Sequence, residues 1–316
     1  MRVRRVLAWG CGALLLAIGA TADTPNWSEI EGREVVLFYP GRSSWEWMLT
    51  KSDHSGGPKI RKGKHCQGCH EGEEADIALD RAEEEDGTAA SGPPNVRATI
   101  PVNVKFAQDD ERLYVRLGWP GGDSAGETQM DPETEARVAM MIGTDDVKGA
   151  KVAGCWVACH DDLPGMASAR EDRELTKYLT PSRTRIGRSG GGEDLKTPSE
   201  LETLLTDGAF MEYWQARLNR DQPSVAVDGY VLEARHESDD PAVTSEASFE
   251  DGRWVAVLSR PLVLSRPEHN DLLPGTVYTV GFAIHDDHSK QRFHHVSLEH
   301  TFALEEGPAD FVAARP

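Results

Sequence analysis

The sequence predicts a mainly β protein, an antiparallel β-sandwich with helical and loop insertions, preceded by a small N-terminal segment. Three observations carry that expectation. Ile100, Val102, Val104 and Phe106 alternate with polar residues, and Leu113, Val115, Leu117 and Trp119 repeat the pattern across a short polar turn, which is a strand pair with one buried face. Five more stretches read as strands, at 136–142, 225–236, 253–260, 276–285 and 293–304. The excursions between them are long, as in a sandwich that carries insertions.

Along the chain, Arg2, Arg4 and Arg5 precede an apolar run that ends at Ala20-Thr21-Ala22, the layout of a secretory signal peptide over 1–22. The mature chain is then exported and periplasmic, with no membrane span. A small N-terminal segment over 23–95 follows. Its glycines and prolines predict mostly irregular structure with short elements, and the acidic run after residue 70 a short helix. GTAASGPPN at 87–95 reads as a linker, and the sandwich is expected over 96–305, with a tail at 306–316. Thr197-Pro198-Ser199-Glu200 is a capping box that starts a helix. Leu201, Leu204 and Leu205 lie on one face of it, and Phe210, Met211, Trp214 and Leu218 extend that face if the helix runs past Gly208.

The chain of 316 residues carries a net charge of −19, which argues against nucleic acid and anionic membranes and suits a basic protein partner. No phosphate loop, nucleophile elbow or paired-carboxylate signature stands out, so no catalytic residue is assigned.

Of five cysteines, Cys11 falls in the signal segment and the other four form two pairs, each followed directly by a histidine. Cys66-Gln67-Gly68-Cys69-His70 has the C-x-x-C-H spacing of covalent haem attachment. Two thiols add to the two vinyl groups, and the adjoining histidine reaches the iron. Cys155-Trp156-Val157-Ala158-Cys159-His160 carries one residue more between its thiols but keeps the order. The expectation is two covalent haem c groups per chain, with His70 and His160 as proximal ligands. A zinc ion held by four cysteines is the main rival, and it leaves both histidines unexplained.

Several stretches together resemble one family. ERLYVRLGWP, EARVAMMIGTDD, EYWQARLN, DGRWVAVLSRPL and GFAIHDDHSKQRFHHVSLEHTFAL are similar to the haem-binding domain of ethylbenzene dehydrogenase gamma subunits and related dimethyl-sulfoxide-reductase-type partners. FYPGRSSWEWML and GKHCQGCHEGEE resemble its cytochrome c branch. The resemblance implies a haem-holding sandwich that transfers electrons beside a molybdenum enzyme or another redox protein, such as another cytochrome. It also implies a b-type haem held by a methionine and a lysine. This chain departs from that pattern, with a covalent motif of its own and a histidine pair near the place of the lysine.

The second axial ligands are read from local pattern. In FHHVSLEHTFAL, alternation groups His294 with Val296, Leu298, Phe302 and Leu304 and sets His295 on the other face with Ser297 and Glu299. His294 is therefore preferred to His295. Met141 matches the family's methionine position. For the first motif, His54 is the nearest upstream histidine, with Met48 as the alternative, and His285 and His288 are open to either haem. An electron-carrying cytochrome is the leading expectation. A haem enzyme or gas sensor with an open iron, and a zinc-stabilised binding module, are the alternatives.

Overall fold

A computed structural model describes residues 25–41, 43–49, 54–83, 97–122, 134–160, 177–184, 194–286 and 294–315. The expected signal peptide, the linker and His288 lie outside these residues.

The N-terminal segment begins with strand β1 (Arg33–Phe38) and continues through four helices, α1 (Trp45–Met48), α2 (Gly57–Ile60), α3 (Gln67–His70) and α4 (Glu74–Glu83). The predicted pair forms β2 (Thr99–Gln108) and β3 (Arg112–Pro120), and β4 (Ala136–Gly143) follows. An insertion then holds α5 (Ala150–Ala153), a 3₁₀ turn at Gly154–Val157 and the short strands β5 (Cys159–His160) and β6 (Lys177–Tyr178). Beyond α6 (Pro198–Thr206) come β7 (Met211–Asn219), β8 (Gln222–Val231), β9 (Arg235–Glu237), β10 (Thr244–Glu250) and β11 (Arg253–Pro261). The chain ends with β12 (Val277–Asp286), β13 (His295–Val296), β14 (His300–Ala303) and β15 (Phe311–Val312).

Thirteen strands form one sheet in the order β10-β11-β3-β2-β1-β13-β12-β4-β7-β8-β9, with β14 beside β12 and β15 beside β14. Pairing is antiparallel except between β14 and β15. The sheet curls until β10 packs on β8 and β11 on β7, and Ser245 Oγ donates to Ser224 Oγ at 2.9 Å across that closure. The mainly β sandwich-like class is therefore the observed one.

Three local expectations change. The capping box at Thr197 is present, but α6 stops at Thr206, and residues 211–219 form β7 instead of extending the helix. That strand is buried on both faces. Met211 and Tyr213 point one way and Trp214, Ala216 and Leu218 the other, so its run of apolar residues hides the period of two. The N-terminal segment has the short elements expected of it, but one of them, β1, joins the sandwich by inserting between β2 and β13. The terminal residues also add β15 to the sheet.

A charged cluster ties the two halves of the sandwich together. Glu212 on β7 accepts from Trp214 Nε1 at 2.7 Å and from the Asn270 backbone N–H at 2.8 Å, and pairs with Arg260 Nε on β11 at 3.0 Å. Burial opposes its charge, but Arg260, His269 and the Asn270 amide outweigh that and hold the carboxyl below its usual range. A carboxyl depressed in the fold stabilises above its unfolded pKa and loses that contribution as pH falls. Glu212→Ala strands the buried Arg260 charge and should cost about 3–5 kcal/mol in urea unfolding at pH 7, with the difference from wild type narrowing in acid.

Candidate functional site

The sheet separates two cores. On β4, β7 and β12 the even-numbered Met140, Ile142, Trp214, Ala216, Phe282 and Ile284 face into the sandwich. The odd-numbered residues face the other way. There Ala139, Met141, Tyr213, Gln215, Gly281, Ala283 and His285 line a cavity of about 520 Å³. Cys155, Trp156, Ala158 and His160 from the insertion roof it, and His294 and Val296 close one side.

The insertion lies flat on the strands because Gly281 has no side chain. A Cβ there would stand 2.8 Å from Cys155 Sγ, so the thiol rests directly on β12. Gly154, at φ +53, turns the chain just before it, and a Cβ at that point would meet Glu299 at 3.0 Å. Backbone pairing of β5 with β6 sets His160 opposite Lys177.

A second cavity, of about 300 Å³, lies among the N-terminal helices. Cys66, Cys69 and His70 line it together with Trp47, Met48, His54, Ile60 and Ile77. Cys69 is exposed and Cys66 buried. Trp156 and Leu298 reach it from the other side. Two bonds dock the first motif on the insertion and on the strand region beyond it. Cys66 N–H donates to Val152 O at 2.9 Å, and Gln67 N–H donates to Glu299 Oε1 at 2.9 Å.

The histidines are paired across these cavities. His54 and His70 have ring centres 6.0 Å apart at an interplanar angle of 43°. His160 and His294 have ring centres 6.0 Å apart at 69°. In the smaller cavity each ring is held through Nδ1. His70 Nδ1 meets Glu73 Oε2 at 3.0 Å, and His54 Nδ1 meets Met48 O at 3.0 Å. A carbonyl can only accept, so His54 carries a proton on Nδ1. His285 stacks on His294 at 4.6 Å and 19°.

The other ligand candidates have definite places. Met141 lines the larger cavity and Met48 the smaller. His295 lines neither. Its Nε2–H donates to Arg97 O at 2.6 Å, and burial lowers its pKa to about 4, so the ring is neutral. The side chain of Cys159 is outside the described set. Among the described residues no three histidine, cysteine or acidic side chains gather to hold a metal ion, and Cys66 and Cys69 line one cavity while Cys155 lines the other.

The residues suit haem as the cofactor. The smaller cavity places Cys66 and Cys69, and the larger one Cys155, beside an imidazole pair. Burial raises the Cys66 pKa to about 12 and the Cys155 pKa to about 11, so both are neutral thiols at pH 7. Arg137, Lys177 and Arg235 line the larger cavity, and Lys59 and Lys64 the smaller. These cations complement carboxylate-bearing groups inside a protein that is otherwise strongly acidic.

Two functional neighbours carried no usable sequence signal. Trp156 is quoted in the motif, yet nothing in the spacing says that it walls both cavities. Glu299 belongs to a polar alternation, yet it is buried at 3% exposure. Burial raises its pKa to about 7, and Gln67 N–H opposes that rise.

Comparison with known proteins follows the same lines. The family model described as ethylbenzene dehydrogenase matches residues 235–297. Cytochrome c-552 of Stutzerimonas stutzeri is 30% identical over 303 residues, covering 94% of this chain and 93% of that protein. Cytochrome c-551 of Rhodocyclus tenuis is 27% identical over 293 residues, covering 92% and 99%. A putative carbohydrate-binding protein from Bacteroides uniformis aligns over 67% of this chain and 73% of its own at a TM-score of 0.31 and 10% identity, which is too slight to carry an argument.

Glu299 supplies a test of the site's electrostatics. Its pKa rises in the fold from 4.5 to about 7, so the folded chain keeps a proton there that the unfolded chain releases. Stability falls as pH rises through that window and is level above it. Glu299→Gln removes the loss. Its unfolding free energy relative to wild type should rise between about pH 4.5 and pH 8, by up to about 3 kcal/mol. A pH-independent difference would show that this carboxyl ionises normally.

Proposed function

The chain belongs to the family of cytochrome c-552, and from that premise we propose that it is an exported dihaem cytochrome c that carries electrons. The supporting observation is the pairing, in each cavity, of an attachment motif with two imidazoles whose centres lie 6.0 Å apart. Two imidazoles bound to one iron from opposite sides need about that spacing, with about 2 Å from nitrogen to metal and about 1 Å from nitrogen to ring centre on each side.

On this reading the bound haems supply one-electron cycling between ferrous and ferric iron. The protein does the rest. Cys66 with Cys69, and Cys155 with Cys159, hold the two groups covalently. His70 and His54 ligate in the smaller cavity, and His160 and His294 in the larger. Glu73 and the Met48 carbonyl orient the first pair through Nδ1, which fixes the tautomer and raises ligand basicity. A second histidine, in place of a methionine, lowers the potential and closes the iron to small ligands. That favours electron carriage over gas binding or oxygen chemistry. Met141 and Met48 then pack against the groups as apolar wall.

The expected signal segment over 1–22 places the mature protein in the periplasm. No helix among the described residues is long and apolar enough to cross a membrane. The acidic surface suits a basic redox partner and speeds encounter at low salt. The family resemblance makes a molybdenum enzyme or another cytochrome the class of partner.

Protein made with a cytochrome c maturation system should carry two haems per chain by pyridine haemochrome assay and by mass under denaturing conditions. A chain with no covalent haem would sink the reading, and one haem would restrict it to a single motif. His54→Ala and His294→Ala should each open one iron, so that the reduced protein binds one equivalent of carbon monoxide while wild type binds none. Met141→Ala should leave the low-spin spectrum unchanged. If it instead opens an iron, methionine and not His294 completes the larger site.

A further inference from the structure

We propose that Trp156 is the electron bridge between the two cavities, an inference that rests on the two-haem reading above. The indole is the aromatic part of the wall they share, since it lines both the larger and the smaller cavity, as Ser43 also does. Its neighbour Cys155 faces the larger one, over Gly281. On the other side its ring stacks on Phe38, with centres 5.6 Å apart at 26°, and Phe38 lines the smaller cavity. The partition at this point is one aromatic side chain thick.

The ring is fixed, not merely lodged. Trp156 Nε1–H donates to Ser297 O at 3.0 Å. Ser297 is itself locked to β12, its backbone N–H donating to Phe282 O at 2.9 Å and its Oγ accepting from Phe282 N–H at 2.9 Å. The 3₁₀ turn at Gly154–Val157 sets the Trp156 indole and the Cys155 thiol in different directions. Val157 and Ala158 are buried beside it, so the wall is close-packed.

Exposure gives the bridge a task. The His70 side chain is 31% exposed and Cys69 faces solvent, whereas Cys155, His294 and Trp156 are all buried. A partner docked beside His70 reaches the smaller cavity directly, and Trp156 then offers the packed route from there to the larger one, whose own His160 is half-buried. The exchange is a one-electron transfer, ferrous to ferric on one side and ferric to ferrous on the other. No bond or proton moves, and the indole is not itself oxidised. Electron exchange weakens exponentially with the gap and far more steeply through a void than through packed atoms. A ring in contact with both sides therefore sets the rate.

The test compares Trp156→Phe and Trp156→Leu in the mature two-haem protein. Haem count and low-temperature electron paramagnetic resonance first confirm that both groups and their ligands are intact. Electron exchange within the half-reduced chain is then followed after pulsed reduction. Trp156→Leu should slow it by about tenfold, the loss expected when a close-packed ring gives way to a gap, and Trp156→Phe should stay near wild type. Equal rates in the leucine variant and wild type would overturn the bridge while leaving the two-haem reading intact. A wild-type chain with fewer than two haems would instead overturn that reading. Should Trp156→Leu fail to attach both groups, fluorine resonance of protein labelled with 5-fluorotryptophan decides. The Trp156 signal, identified by its loss in Trp156→Phe, should shift at both steps of a redox titration. A response to one step alone would remove the indole from the shared wall.

Discussion

Strands β4, β7 and β12 are buried on both faces, and the site depends on that constraint. A strand offers alternate side chains to opposite sides. With one core inside the curled sheet and another outside it, every residue must suit one of two apolar environments. Register then does what no single residue does. Gly281 and Tyr213 both pair with Met141, so three neighbouring strands present a bare patch, an aromatic ring and a thioether at one level of the cavity floor. A slip of one residue would turn the Met140 and Phe282 side chains out of the inner core and toward the cavity.

The outer core is made from parts that are weak alone. Helices α1, α2, α3 and α5 have four residues each, far below the length at which a helix holds itself in water. They persist because Trp45, Met48, Ile60, Cys66 and Val157 bury one another against the sheet. The bonds from Cys66 to Val152 and from Gln67 to Glu299 then bind the N-terminal segment to the insertion and to the end of the chain. The two attachment motifs are thus one structural unit, although 85 residues separate their last cysteine and first. Order in either motif depends on the other.

Some of this was legible in the sequence. The β2–β3 pair alternates in plain view because loops and turns frame it, and the capping box at Thr197 is local chemistry that tertiary context leaves alone. The Cys-Cys-His spacings pointed to the residues that line both cavities, since Cys66, Cys69 and His70 line one and Cys155 and His160 the other. Strand β7 was not legible as a strand, because burial on both faces erases alternation and leaves Phe210, Met211, Trp214 and Leu218 at spacings a helix also satisfies. Strand β1 was hidden for a related reason, since the short run Val35–Phe38 sits among glycines and charges and is a strand only between β2 and β13. Alternation grouped His294 with Val296 and Leu298, and Val296 does line the larger cavity while Leu298 lines the smaller. Phe302 and Leu304 lie in the inner core instead, a change of side across β13 and β14 that pattern cannot show. The role of Trp156 depends on what lies on both sides of one indole, which is a fact of packing alone.

The smaller cavity also holds its two histidines unequally. His70 gives its Nδ1 proton to a carboxylate, Glu73, whereas His54 gives its own to a neutral carbonyl, that of Met48. A charged acceptor draws the proton further and leaves more electron density on the opposite nitrogen. His70 is therefore the stronger donor of the pair, and it is the residue tied to the covalent motif. Its Glu73 partner is exposed, so salt and the approach of a cationic surface act on that hydrogen bond before they reach anything else in the cavity. With His70 on iron, as proposed, a basic partner that drew Glu73 away would weaken that donor and raise the potential of the smaller site. The same charge that guides docking would then help set the direction of electron flow once docked.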